Sequence, residues 1–176
     1  MTYLTTRSSP VGTVHLASDG EAITGLWLEG QKYFAATLDG DTQEYPDLPA
    51  FHQTADWLEA YFAGNPLPSL PPLAPKGSPF RQAVWALLRE IPYGKTTTYG
   101  ALAQALRDRG TSAAAQAVGG AVGHNPISVL IPCHRVVGAD GSLTGYAGGV
   151  EKKKFLLELE GADLKNLYIP KRGTAL

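Results

Sequence analysis

The sequence has a single cysteine, Cys133, and a single methionine, Met1, in 176 residues. One cysteine excludes any internal disulfide. With only His15, His52, His124 and His134 beside it, the chain shows no zinc-ligand spacing, so no metal is expected. No apolar run approaches the roughly 20 residues of a membrane span. Residues 1–7 lack a basic stretch followed by an apolar core, so no secretory signal and no membrane partner are expected. A free thiol suits a reducing compartment, and the expected location is cytoplasmic.

Basic residues are scarce in the first half. Residues 1–75 hold only Arg7 and Lys32 against nine acidic side chains, a net of −7. Residues 76–176 hold thirteen basic against seven acidic, a net of +6. The total of −1 hides this division, which points to a polyanion met by the second half alone, or to a solvated surface with no partner.

What is present reads as two parts. Residues 1–45 suggest strands, including 13–18 and 22–28 around an Asp19-Gly20 hairpin turn. Residues 49–62 suggest a helix that ends at Gly64, with Leu48, Ala55, Leu58 and Phe62 facing inward. Five prolines within residues 64–78 forbid helix or central strand, so this stretch is read as an extended linker between a 1–75 domain and a 78–176 domain.

Beyond it, Ser78-Pro79 caps a helix that runs to Ile91, and Thr98 caps another over 99–107. Ser112 is expected to cap a third, over 113–122. Helix, helix, turn, helix in a basic half reads as a helix-turn-helix. The third helix carries no Lys or Arg and has Gly119-Gly120 at its centre. Such a surface suits close approach to a narrow groove and shape readout, not base-edge readout. An apolar, strand-like run over 127–131 then leads to Cys133. A glycine-rich loop follows at 145–149, and a last helix over 151–159 is expected to bury Phe155, Leu156 and Leu159. Lys152, Lys153 and Lys154 form a solvated run near its start, and residues 165–176 a loose tail.

Cys133 lies in Pro132-Cys133-His134-Arg135-Val136. On its own a Cys-His neighbour pair fits an inert buried thiol as well as an activated nucleophile. The wider string adds an upstream Asn125-Pro126 and a downstream Gly145-Tyr146-Ala147-Gly148-Gly149. From about Ser78 to Glu160, and more faintly before that, the chain resembles the O(6)-alkylguanine-DNA alkyltransferases, the methylated-DNA–protein-cysteine methyltransferases.

The resemblance implies an α+β protein. A small N-terminal antiparallel sheet with a helix, ribonuclease H-like, precedes a helical, winged helix-turn-helix domain that carries the active site. It implies DNA repair by irreversible alkyl transfer from a flipped-out O(6)-alkylguanine to Cys133, once per molecule. His134 would take the thiol proton through an ordered water, and Glu160 would orient His134. Tyr99 would help rotate the nucleotide and give a proton to the leaving purine, and Asn125 would hold the turn before the active site. Pro132, Val136, Tyr146, Ala147 and Gly148 would line the alkylguanine pocket. Ser112, Ala115, Gln116, Ala117, Gly119, Gly120 and Arg135 would meet double-stranded DNA in its minor groove, with little sequence preference, and the protein would act as a monomer.

Two departures stand out. Some relatives bind zinc in the N-terminal domain through cysteines this chain lacks. Gln116 stands where the family commonly has an arginine that fills the space left by the flipped base. A lesion-binding relative without transfer, or a cysteine hydrolase, are the alternatives; the presence of Cys133 argues against the first.

Overall fold

The computed structural model describes residues 1–170. The described residues divide into two compact units, Met1–Lys76 with Pro126–Ser128, and Gly77–Asn125 with residues 129–170.

In the first unit, β1 (Thr2–Arg7), β2 (Val14–Ser18) and β3 (Ile23–Leu28) form an antiparallel meander, and β4 (Thr42–Glu44) adds to β1, giving the order β3-β2-β1-β4. Asp19 shapes the β2–β3 turn, its Oδ1 accepting from the Glu21 and Ala22 amides at 2.9 and 2.8 Å. The sheet is not wholly antiparallel: β4 runs parallel to β1, because residues 29–41 carry the chain back to the far edge before it pairs.

The outer edge of β3 is covered twice. Ile23 N donates to Pro72 O and Ala74 N to Ile23 O, both at 2.8 Å, while Leu26 N donates to Pro126 O at 2.8 Å and Ser128 N to Leu26 O at 3.0 Å. The proline-rich stretch forms neither helix nor regular strand, and part of it docks on β3, which satisfies an edge that would otherwise expose unpaired amides. Helix α1 (Pro49–Ala63) buries Phe51, Thr54, Trp57, Leu58 and Tyr61. Its inward face is thus turned from the expected one, since Trp57 and Tyr61 have more apolar area to bury than Ala55.

In the second unit, α2 (Pro79–Leu88) and α3 (Tyr99–Asp108) begin where their caps predict. Ser78 Oγ accepts from Arg81 N and Thr98 Oγ1 from Ala101 N. Helix α4 (Ala115–Gly123) packs through Val118, Ala121 and Val122, and Trp85 of α2 donates to its Ala121 carbonyl at 2.8 Å. It starts two residues later than expected and Ser112 does not cap it; the N-cap is Ala114, with no side-chain bond. Residues 111–114 are instead non-helical, and Arg107 Nη1 donates to Ala113 O at 2.7 Å. A parallel pair, β5 (Thr97–Thr98) with β6 (Val136–Val137), leads directly into α3 through Thr98.

Helix α5 (Val150–Leu159) closes the unit. It buries Lys153, Leu156 and Leu157, whereas Phe155 is exposed, so the expected apolar face is corrected. The tail expectation is corrected too. Leu143 N donates to Tyr168 O at 2.9 Å and Tyr168 N to Gly141 O at 3.0 Å, and Leu167 and Ile169 pack on Val137, Leu143 and Leu157. Residues 171–176, the rest of that stretch, lie outside the described residues. No helix among the described residues is long and apolar enough to cross a membrane.

Candidate active site

The segment that delivers Cys133 is a tight loop, and the strand expected over 127–131 does not form. Asn125, buried at the end of α4, donates from Nδ2 to Ile131 O at 2.8 Å and so closes residues 126–131 into a compact turn. Inside it Val129 sits at φ +69°, where a β-branched residue is strained by about 1–3 kcal/mol. Pro132 (φ −81°, ψ 66°) is the centre of an inverse γ-turn, with Cys133 N donating to Ile131 O at 2.8 Å. Cys133–Arg135 is then one turn of 3-10 helix, not extended chain. Consecutive side chains there need not point to opposite faces, as they would on a strand.

β6 follows at once. Its register, Thr97 with Val136 and Thr98 with Val137, fixes this turn relative to the start of α3, where Tyr99 is the first residue.

Glu160 lies just past the end of α5 and collects four donors. His134 Nε2 lies 2.6 Å from Oε2, Arg135 Nε donates to Oε1 at 2.8 Å and Nη2 to Oε2 at 3.0 Å, and Gly94 N donates to Oε1 at 3.2 Å. Both the His134 and Glu160 side chains are fully buried. Arg135 already supplies the cation that balances the carboxylate. Burial therefore holds the His134 pKa below its ordinary value, although Glu160 opposes the shift. A neutral imidazole with its Nε2 proton on Glu160 leaves the lone pair on Nδ1. That atom is buried and has no hydrogen-bond partner among the described residues. It is the nitrogen able to receive a proton.

Arg135 was expected at the DNA surface and is not there. It is buried, Nη1 donates to Ile91 O at 2.7 Å, and its guanidinium stands 5.7 Å from the Tyr93 ring centroid. With three hydrogen bonds donated inside the fold, two of them to Glu160, it holds that carboxylate in place.

Cys133 is 4% exposed. Burial pushes its pKa up, against the lowering effects of a hydrogen bond from Asn125 and the charge of Lys153. Lys153 was expected in solvent. It is fully buried, and its ammonium donates to Val136 O, and to Thr144 O at 2.7 Å. Its pKa falls to about 8 through burial, while Cys133 pulls the other way. The signal was in the sequence: Lys153, Leu156, Leu157 and Glu160 are spaced i, i+3, i+4, i+7, one face of a helix, with a titratable group at each end.

Tyr99 is half-buried and donates its hydroxyl to Thr144 O at 2.8 Å; burial, then the nearby Cys133, lifts its pKa to about 12. Tyr146 is buried, its ring edge-on to His134 with centroids 6.4 Å apart. Its hydroxyl has no hydrogen-bond partner among the described residues. Pro132 and Val136 are buried beside Cys133, and Ala147 and Gly148 are half-buried in the loop.

The structure thus brings Cys133, His134, Glu160, Tyr99, Asn125 and Tyr146 into one unit. It leaves Ser112, Ala115, Gln116, Ala117 and Gly120 exposed along the start and outer side of α4, with Gly119 half-buried. A Cβ built on Gly120 would meet nothing within 4 Å, and one on Gly119 only Tyr99 at 3.8 Å. Packing inside the unit therefore requires neither glycine, and what their small size leaves is room for an outside surface. Among the described residues no group of three or more His, Cys, Asp or Glu could hold a metal ion.

Residues 79–162 match the family described as 6-O-methylguanine DNA methyltransferase, DNA binding domain, and residues 2–75 its ribonuclease-like domain. The chain is 45% identical to a methylated-DNA–protein-cysteine methyltransferase of Haemophilus influenzae, covering 90% of this chain and 86% of the relative. It is 44% identical to one of Mycobacterium bovis, over 91% and 93%. The crystal structure of Mycobacterium tuberculosis OGT in complex with DNA superposes with a TM-score of 0.78 at 42% identity, over 90% of this chain and 92% of that one.

Proposed function

Since this chain belongs to the methylated-DNA–protein-cysteine methyltransferase family, we propose that it repairs DNA by direct reversal, taking the alkyl group of O(6)-alkylguanine onto Cys133. The observation that carries the reading is the buried His134–Glu160 pair next to Cys133 in the chain, which leaves Nδ1 of a neutral imidazole as the proton acceptor.

The Cys133 sulfur attacks the alkyl carbon. A carbon–sulfur bond forms, the bond from carbon to the purine oxygen breaks, and its electron pair stays with the purine. The thiol proton passes to His134 Nδ1, through a water by resemblance to the family. Tyr99 gives its proton to the departing purine, and the imidazolium proton then returns to the phenolate through solvent. In sum one proton moves from thiol to guanine and a thioether replaces a thiol, so no cofactor enters. The thioether is stable and each molecule reacts once. Pro132, Val136, Tyr146, Ala147 and Gly148 enclose the base.

A base within a duplex must leave the stack to reach this buried sulfur. Residues from 78 onward carry both DNA binding and transfer, with 1–75 a separate domain. The exposed side of α4, formed by Ala115, Gln116, Ala117 and Gly120 with Ser112 and Gly119 beside it, enters the minor groove and reads shape. The protein acts as a monomer, and its binding weakens with salt as phosphate contacts release counterions.

The test is intact mass after mixing with a duplex that carries O(6)-methylguanine. A gain of one methylene, mapped to Cys133 and absent in Cys133→Ala, is the expected result, with duplex binding retained by that variant. Unchanged mass with tight binding would indicate a lesion-binding protein, and the methyl on any other residue would overturn the assignment.

A further inference from the structure

We propose that Gly145 is a positioning residue for the Tyr99 hydroxyl, and that the peptide joining Thr144 to Gly145 is the seat in which that hydroxyl rests. The proposal builds on the reading of Tyr99 as the proton donor to the leaving purine.

Three contacts define the seat. The Tyr99 hydroxyl donates to Thr144 O at 2.8 Å. The same carbonyl accepts from the buried Lys153 ammonium at 2.7 Å, so it is anchored from a second direction, and Lys153 also holds Val136 O beside Cys133. A Cβ built on Gly145 would stand 2.4 Å from the Tyr99 hydroxyl oxygen and 3.3 Å from Cζ. No other heavy atom lies as near, so the space that this glycine leaves empty is filled by the phenol's polar end.

Gly145 sits at φ +78°, which by itself favours glycine. The steric requirement is separate from the backbone one. A left-handed turn alone would leave the space above Gly145 open, as it is above Gly110 at φ +86°. The ring is also passed by Gly119 of α4 at its Cδ1 edge. A side chain at 145 would displace the hydroxyl along the ring axis, away from the anchored carbonyl. Proton donation depends on placement to within a fraction of an ångström, whereas attack by sulfur does not involve this group.

The experiment compares two reagents on the full-length protein. Free O(6)-benzylguanine needs its leaving purine protonated, while iodoacetamide releases iodide and needs no proton. Alkylation of Cys133 is followed by intact mass for wild type, Tyr99→Phe, Gly145→Ala, the double variant, and Gly110→Ala as a control for left-handed strain without a clash.

Tyr99→Phe is expected to slow benzylguanine by about a hundredfold and to leave iodoacetamide within about twofold. Gly145→Ala should do the same. The double variant should be no slower than Tyr99→Phe, because removing the hydroxyl removes the clash, and Gly110→Ala should match wild type on both reagents. If Gly145→Ala has no effect, slows both reagents equally, or multiplies with Tyr99→Phe, the seat is wrong while Tyr99 keeps its role. If Tyr99→Phe leaves benzylguanine unchanged, the proton-donor reading falls and the seat with it.

Discussion

His134 gives its Nε2 face to Glu160 at 2.6 Å, with both side chains fully shielded from solvent. The bond leaves Nδ1 as the basic nitrogen, and burial keeps the imidazole neutral at pH values where an exposed histidine would be charged.

A pH prediction follows from that direction. Since the folded His134 pKa is lowered, the base form persists below the ordinary histidine value of about 6.5. The rate of transfer from O(6)-benzylguanine should show no downturn there and should fall only at lower pH. In His134→Ala the rate at neutral pH should drop by about a hundredfold. It should then climb with pH as the thiol, whose pKa is itself raised, ionises unaided. Superimposable pH profiles for the two proteins would rule out the relay.

Arg135 is predicted to matter for stability and not for DNA contact. Arg135→Met strands the buried Glu160 carboxylate with one cation fewer, which costs about 3 kcal/mol or more. The midpoint of urea unfolding should fall accordingly. The salt dependence of duplex binding should keep its slope, since no phosphate contact is lost. A shallower slope with unchanged stability would return Arg135 to the DNA surface.

Lys153 has a folded pKa of about 8 against an ordinary 10.5. The unfolded chain therefore binds more protons between these values, and the contribution of Lys153 to stability rises with pH across that window and is flat below it. The Cys133 thiol, shifted up, acts in the opposite sense at alkaline pH, so the comparison belongs in a Cys133→Ala background. There the stability of the protein with Lys153, relative to the one with Lys153→Met, should improve by about 3 kcal/mol from pH 8 to 10.5. With Cys133 present, Lys153→Met should move thiol alkylation by iodoacetamide to higher pH, because a charge that lowers the thiol pKa is gone. A parallel pair of stability curves would mean that Lys153 is not buried as a cation.

Gln116 lies in the first, exposed turn of α4. A glutamine amide can hydrogen-bond the orphaned cytosine, but it offers less stacking area than a guanidinium and no charge. Gln116→Arg is expected to speed repair of duplex O(6)-methylguanine while leaving free O(6)-benzylguanine unchanged, since the free base needs no extrusion. Equal acceleration on both substrates would place the residue in the chemistry, and no change on either would remove it from the extrusion site.

Local signals carried much of this protein. Ser78 and Thr98 cap helices because a side-chain oxygen before a helix finds a free amide wherever the chain goes next. The residue string around Cys133 carried the family resemblance that implied the chemistry, since Pro132 to Val136 and the glycine-rich loop lie close together along the chain. Tertiary structure decided what distant residues do to one another. An apolar run such as 127–131 can be strand or loop, and it became a loop because Asn125 reaches Ile131 across it. A lysine among three lysines reads as solvated from the run alone; its helical spacing with Leu156, Leu157 and Glu160 marks the buried face, but only the fold supplies the two carbonyls, those of Val136 and Thr144, that receive it. Arg135 follows a catalytic-looking histidine in a basic half, yet a carboxylate 25 residues further on draws it inward. Burying a charge is tolerable only where partners converge on it, and that convergence is set by the fold, not by neighbours in the chain.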